Sequence, residues 1–200
     1  MRNDLLMDRS LASVLRQTHR NLEINIVCDG MRGEPMNDLR SRIAALRDPR
    51  IRFWPIPRQE YPEDPQERWC LLGMNARNHG LDQATARWVA PLDDDDEWTD
   101  EHVEDLLGVA KANNVDFAYG MSQYHWPDDR PQMAGKWPPG YGAFCDGAQI
   151  YRHDMGYRYD PGCIDRGLPE DGDLWERMVK GGVTFAFAPT IVHHYYPNER

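Results

Sequence analysis

One junction in this sequence narrows the possible folds more than any other: Ala86–Thr99, A-R-W-V-A-P-L-D-D-D-D-E-W-T. Trp88, Val89, Ala90 and Leu92 form an apolar run long enough for a buried strand and too short for a helix. Four aspartates, Asp93 to Asp96, and Glu97 follow. Thr99 then stands as an N-cap ahead of an amphipathic segment with Val103, Leu106, Leu107 and Val109 on one face. A strand that gives way to a helix through carboxylates puts oxygen ligands at the carboxyl edge of a sheet, where open α/β folds bind ligands.

Crowding these acids is costly, because two unit charges ~5 Å apart repel by ~1 kcal/mol in water and by several times that in a half-dry site. A divalent cation removes the repulsion, and hard oxygen ligands suit Mg²⁺ or Mn²⁺. On spacing alone, a solvated acidic loop without a ligand stays equally open. The formal net charge of −10 and pI near 5.1 argue against a nucleic-acid partner, whose footprint is a basic stripe. They do not exclude an anionic nucleotide, since a metal carries positive charge to it. No apolar run approaches the ~20 residues that span a bilayer, which leaves peripheral membrane association open. Cys28, Cys70, Cys145 and Cys163 contain no C-x-x-C pair, so the expectation is free thiols, no zinc site and a cytoplasmic location.

In chain order, Asn3 or Asp4 caps a first helix with Leu5, Leu11, Val14 and Leu15 inward, ending near Gln17–His19. Leu22–Cys28 alternates as a strand and Asp29-Gly30 turns it. Met36–Leu46 has helical spacing, Ile51–Trp54 is a short strand, and Arg58–Glu67, with Pro62 and Pro65, reads as a surface loop. Leu71–Ala84 is expected to be one helix, and Asp116–Tyr119 a strand. From Met121 to Gly142 the periodicity disappears into an aromatic, Pro/Gly-rich loop, longer than compact domains keep without a use. Ala143–Tyr151 resembles a strand, Glu170–Lys180 a helix burying Leu174, Met178 and Val179, and Val183–Ala188 a last strand. Strands alternating with helices indicate an α/β layer sandwich in one domain, residues 1–200.

Four blocks carry a resemblance: S-L-A-S-V-L-R-Q-T-H-R-N-L-E-I-N-I-V-C-D-G, then A-R-N-H-G-L, then L-D-D-D-D-E-W, then E-D-G-D-L-W-E-R. In this order and spacing the chain resembles the family 2 glycosyltransferases with the GT-A fold. The resemblance implies a Rossmann-like α/β/α sandwich with a mainly parallel central sheet. It implies a nucleotide-binding half (1–119), an acceptor-side half (120–200), and inverting, metal-dependent transfer of one sugar from a nucleoside-diphosphate donor to a glycan or other hydroxyl acceptor. Asp29 matches the acid that contacts the base. Asp93 and Asp95 match the D-x-D element, with Asp93 near ribose and metal and Asp95 on the Mn²⁺ or Mg²⁺. Asp94 matches a ribose or sugar contact. Arg77 and Asn78 either position the donor or brace the acidic loop. Asp96 and Glu97 are expected to be capping or solvated.

By the same resemblance Asp171 is the base that takes the acceptor's proton, beside Glu170 on the acceptor. A hydroxyl is a poor nucleophile, so attack at the anomeric carbon requires a carboxylate within hydrogen-bond reach. Acids in a first helical turn also suit the dipole, which is the structural alternative for each of them. His193 matches a late metal ligand in some members, or is a packing residue. Trp126, Trp137 and Tyr141 stack on the acceptor or form the core of their own loop.

The pattern departs from the family where its first strand should precede the first helix, since Met1 falls at the end of that turn. The expectation is a slot in the core beside unpaired neighbours. No Q-x-x-R-W block follows Asp171, which favours single additions over processive synthesis. Two alternatives are a non-catalytic nucleotide- or glycan-binding module and a nucleotidyltransferase, although the latter's Gly-rich, basic triphosphate loop is missing.

Overall fold

The amino-terminal helical stretch comprises Asn3–Leu5 (α1), a π-helical turn Leu6–Ser10, and Leu11–Arg16 (α2). The computed structural model describes residues 3–128 and 130–197, so Met1 lies outside the described residues. Ile24–Asp29 (β1) alternates buried and half-buried residues, and Ile24, Ile26 and Cys28 pack on Leu6 and Leu11. Gly33–Leu46 (α3) adds Met36, Leu39 and Ile43 to the same cluster, the i, i+3, i+7 stripe of a core-facing helix. It ends where Arg47 turns left-handed at φ 50°. Ile51–Ile56 (β2) pairs in parallel with β1, Ile24 opposite Ile51.

The next segment corrects the sequence reading. Pro65–Cys70 (α4) is helical rather than loop, because Asp64 caps it by accepting from Gln66 N and Glu67 N, and Pro65 suits the first helical position. The chain then breaks at Gly73 (φ 84°) before Met74–Gln83 (α5), so Leu71–Ala84 is not one helix. Trp88–Val89 (β3) leads into the acidic loop, and Glu97–Trp98 (β4) closes it. His102–Asn113 (α6) starts without a side-chain cap. The Thr99 hydroxyl instead donates to the Val192 carbonyl at 3.4 Å.

Phe117–His125 (β5) runs well past the expected Tyr119 and folds back through Pro131–Ala134 (β6). A single 3₁₀ turn, Asp146–Ala148, precedes Gln149–Arg152 (β7), where a continuous strand from Ala143 was expected. Glu170–Lys180 (α7) buries Leu174, Trp175 and Met178, while Val179 faces outward. Phe185–Tyr195 (β8) extends seven residues beyond the expected Ala188.

The second sheet has the order β3-β7-β5-β8-β4, with β6 added on β5. Among the described residues only β5 and β8 are parallel in it, so the sheet is mixed, not mainly parallel. The acidic loop reverses the chain between β3 and β4, and the β5–β6 hairpin reverses it ahead of β7, so both strands lie antiparallel to their neighbours. Side-chain alternation on β5 defines the layers. Phe117 and Tyr119 join Phe144, Tyr151, Leu174 and Trp175 under α7, whereas Ala118 faces Val103, Leu106 and Leu107 of α6. Helices therefore cover both faces, and α5 leans on β1 through the close approach of Gly80 to Val27. Among the described residues, no helix is long and apolar enough to cross a membrane.

Candidate active site

The acidic loop is held from behind by the amino-terminal helix. Arg9 Nη1 donates to the Asp95 carbonyl and Ser10 Oγ to the Asp96 carbonyl, both at 2.8 Å. Ser13 Oγ accepts from Trp98 N at 3.2 Å. With its backbone pinned, the loop brings one carboxylate oxygen each from Asp93, Asp95 and Asp96 within 4.8 Å of one another.

Asp96 contradicts the expectation of a capping or solvated acid. It is only 3% exposed, accepts from Tyr196 N at 3.0 Å, and places Oδ2 3.3 Å from His193 Nε2. His193 is fully buried on β8, with Nδ1 2.9 Å from Ser122 Oγ. Its Nε2 is buried without a hydrogen bond. Gly147 packs directly on this ring, where a Cβ would stand 2.6 Å from His193 Cδ2. A buried imidazole nitrogen aimed at a carboxylate triad fits a hard divalent cation, since the ion satisfies the nitrogen and offsets the repulsion among the acids.

A second assembly surrounds Arg77 of α5. Its Nη2 meets Asp93 Oδ1 at 2.6 Å, its Nη1 meets Glu170 Oε1 at 2.6 Å, and its Nε meets Asp146 Oδ2 at 3.0 Å. Nη1 also donates to the Leu72 carbonyl at 2.9 Å, and the guanidinium lies 5.7 Å from the centre of the Tyr159 ring. Glycine is required at position 73, since a Cβ there would stand 2.5 Å from Arg77 Nη1 on a left-handed backbone.

Three carboxyl groups thus share one cation. Burial pushes the Glu170 carboxyl up to about 8 and that of Asp146 up to about 7, against the downward pull of Arg77. Burial likewise raises Asp171, with Arg77 and its own Gly172 N–H, which donates at 2.6 Å, opposing the rise. Burial disfavours the Arg77 charge, but Asp93 and Asp146 outweigh it and keep the group protonated.

The structure brings together Asp93, Asp95, His193, Arg77 and Glu170, with Asp171 beside Glu170 at the start of α7. Asp29, at the end of β1, is held by Gln59 N at 2.9 Å and Tyr61 Oη at 3.5 Å. Burial chiefly raises the Cys28 thiol, and the charges of Asp29 and Asp94 add to the rise. Asn78 braces rather than reaches outward, exchanging two hydrogen bonds with the Tyr159 backbone at 2.8 and 3.0 Å.

Tyr141 packs on α7, where a Cβ at Gly172 would stand 2.5 Å from its ring, and it is 52% exposed. Trp137, in the same loop, is 58% exposed. Trp126 is engaged within its own hairpin, donating to Gln132 Oε1 at 2.8 Å beneath Arg130 at 4.1 Å. Sequence reading missed Asp146 and the burial of Asp96. The only signal for Asp146 was an Asp-Gly turn ahead of an apolar strand, which is commonplace.

The model for the family described as Glycosyl transferase family 2 matches residues 73–161. An uncharacterized glycosyltransferase of Acanthamoeba polyphaga mimivirus is 30% identical over 125 residues, covering 59% of this chain and 49% of that protein. The Escherichia coli UDP-Glc:alpha-D-GlcNAc-diphosphoundecaprenol beta-1,3-glucosyltransferase WfgD is 32% identical over 111 residues, covering 56% of this chain and 38% of that protein. The chain thus spans half or less of the length of these relatives. S. aureus TarS 1-349 in complex with UDP superposes with a TM-score of 0.67 at 13% identity, over 97% of this chain and 57% of that one. The fold is therefore GT-A, an α/β/α sandwich around a mixed sheet.

Proposed function

We propose that the chain is a family 2 glycosyltransferase that moves one sugar from a nucleoside-diphosphate donor to a hydroxyl acceptor with inversion, a reading supported by the family match over residues 73–161 and by the glycosyltransferase relatives. The observation that carries this reading is Arg77, whose guanidinium ties Asp93 of the acidic loop to Glu170, next to Asp171. Donor-side and acceptor-side acids are thereby held within one side chain's span.

Asp93, Asp95, Asp96 and His193 would hold the divalent ion, Mn²⁺ or Mg²⁺. When bound, it supplies Lewis-acid stabilisation for a leaving diphosphate. Asp29, Asp94 and Arg77 bind the nucleotide, with Asp93 at the ribose end. Asp171 accepts the proton of the acceptor hydroxyl as that oxygen bonds to the anomeric carbon. The bond to the diphosphate breaks on the opposite face, and its electron pair leaves with the nucleotide. Burial of Asp171 raises its basicity above that of an ordinary carboxylate, which suits a general base. Glu170 is held by Arg77 and orients the acceptor, with Tyr141, packed on α7, and the exposed Trp137 of the same loop as stacking surfaces and Trp126 a further candidate on its hairpin.

The UDP in the TarS complex supports a uridine nucleotide as the first donor to test, and the name of WfgD supports a saccharide on a lipid diphosphate among acceptors. Such an acceptor fits peripheral membrane contact, and four free thiols suit a cytoplasmic site of action. A non-catalytic nucleotide- or glycan-binding module is the second reading, favoured by the separation of the β1–β2 pair from the six-stranded sheet. Incubation with a panel of nucleotide sugars, Mn²⁺ and lipid-linked or free glycan acceptors separates the two. Transfer that is lost in Asp171→Asn supports the enzyme, and nucleoside-diphosphate binding without turnover supports the module.

A further inference from the structure

Three of the carboxylates around Arg77 come from three separate segments: Asp93 after β3, Glu170 at the start of α7, and Asp146 in the turn before β7. The first two have roles in the proposed reaction, and Asp146 has none. Asp93 and Glu170 restrain the Nη2 and Nη1 corners of the guanidinium, and a partner on Nε restrains the third, next to the flexible stem, so that every nitrogen of the planar fork is held.

Asp146 is well placed to be that partner. Its Oδ2 meets Arg77 Nε at 3.0 Å, and its side chain is 10% exposed. Its Oδ1 accepts from the Tyr159 hydroxyl at 3.3 Å and from Gln149 Nε2. Gln149 is fully buried and accepts in turn from Trp175 Nε1 of α7 at 2.9 Å. The carboxylate is therefore anchored to both β7 and α7 before it reaches Arg77. The following residue, Gly147, packs on the His193 ring, and its carbonyl accepts from Trp98 Nε1 at 2.8 Å. One turn thus touches both the metal-binding group and the Arg77 assembly.

We propose that Asp146 is a positioning residue that locks the plane of the Arg77 guanidinium and so sets the separation between the donor-side acid Asp93 and the acceptor-side acids of α7. The inference rests on the glycosyltransferase reading for its consequence, but the lock itself has a readout that does not.

The experiment compares wild type, Asp146→Ala and Asp146→Asn by three measurements. The Arg77 Nε–H proton, assigned by its disappearance in Arg77→Lys, is followed by nitrogen-edited NMR. UDP is titrated calorimetrically with Mn²⁺, and the unfolding midpoint is recorded. The Nε–H signal is expected to exchange slowly in wild type, to survive in Asp146→Asn, where an amide oxygen still accepts, and to broaden in Asp146→Ala. UDP affinity is expected to fall about 10-fold in Asp146→Ala and less than about 3-fold in Asp146→Asn. The midpoint should stay within about 4 °C of wild type, because loss of one acid from a cluster with excess negative charge offsets the lost ion pair. An unchanged Nε–H signal in Asp146→Ala overturns the lock. A UDP affinity that is lost only together with a large fall in midpoint, and is not rescued by Asn, assigns Asp146 a merely structural role and also overturns it. A slowly exchanging Nε–H in a wild type that binds no UDP upholds the lock and refutes the functional reading.

Discussion

Replacing Arg77 by Met leaves Asp93, Asp146 and Glu170 facing one another without a cation, on a side chain of similar reach. Removing one partner of a buried ion pair costs about 3–5 kcal/mol when the charge left behind must stay ionised. These carboxyls have an escape, because burial already raises Glu170 from 4.5 to about 8 and Asp146 from 3.8 to about 7 with Arg77 present. A raised folded-state pKa means that folding takes up protons between the two values. That stability is complete below about 4.5 and is lost as the pH climbs through 8. Without Arg77 both groups move higher still, so the deficit of the variant grows with pH. At pH 6 the cluster protonates cheaply and the loss should be about 1–2 kcal/mol, while at pH 8.5 it should reach about 3–5 kcal/mol. For a chain of this size those losses correspond to falls in the unfolding midpoint of about 3–6 °C and about 10–15 °C. Thermal unfolding followed by circular dichroism in chelator, at both pH values, reads the difference. Equal losses at the two pH values, or a loss below about 1 kcal/mol at pH 8.5, would refute the shared-cation account.

Other perturbations probe the neighbouring parts. Gly147→Ala drives a methyl group into the buried His193 ring, an overpacking of about 1–3 kcal/mol, and should weaken Mn²⁺ binding measured by electron paramagnetic resonance about 10-fold. Asp173 is fully buried between Arg166 and Arg177, which are partly exposed and keep Asp160 and the Arg158 carbonyl as partners, so Asp173→Ala should cost about 1–3 kcal/mol in urea unfolding. Asp171→Asn keeps the side-chain shape and removes the base. Transfer should fall about 100- to 10,000-fold while UDP affinity, read by calorimetry, stays within about 3-fold.

The first half of the fold was legible because its signals are local. Ile24, Ile26 and Cys28 alternate, Leu39 and Ile43 repeat at helical spacing, and both segments form as expected. The second half is set by pairing at long range. Residues 121–125 show no apolar alternation, yet they continue β5 because β8 and β6 flank them. Gly120 permits this, since the strand bulges there and a Cβ would stand 2.6 Å from Val192 Cγ2. Pro189 hid the length of β8 in the same way.

At the site, the acidic loop and the Glu170-Asp171 pair were visible as compositional clusters, and Arg77 through its motif. The partnership of Arg77 with Asp146 spans 69 positions and leaves no periodic trace. Asp96 looked like one more solvated acid because nothing in its neighbourhood announces that His193 arrives from β8 to bury it. Thr99 had the residue type of a helix cap, but β8 offered its hydroxyl an acceptor first, the Val192 carbonyl.

The central claim is that Asp93, Asp95 and Asp96 hold a divalent ion that in turn holds a nucleoside diphosphate. Calorimetric titration of UDP into wild type and Asp95→Ala, each with Mn²⁺ and with chelator, tests it most directly. The account predicts micromolar to millimolar binding that requires Mn²⁺ and disappears in Asp95→Ala. Equal UDP affinity in all four titrations would contradict it.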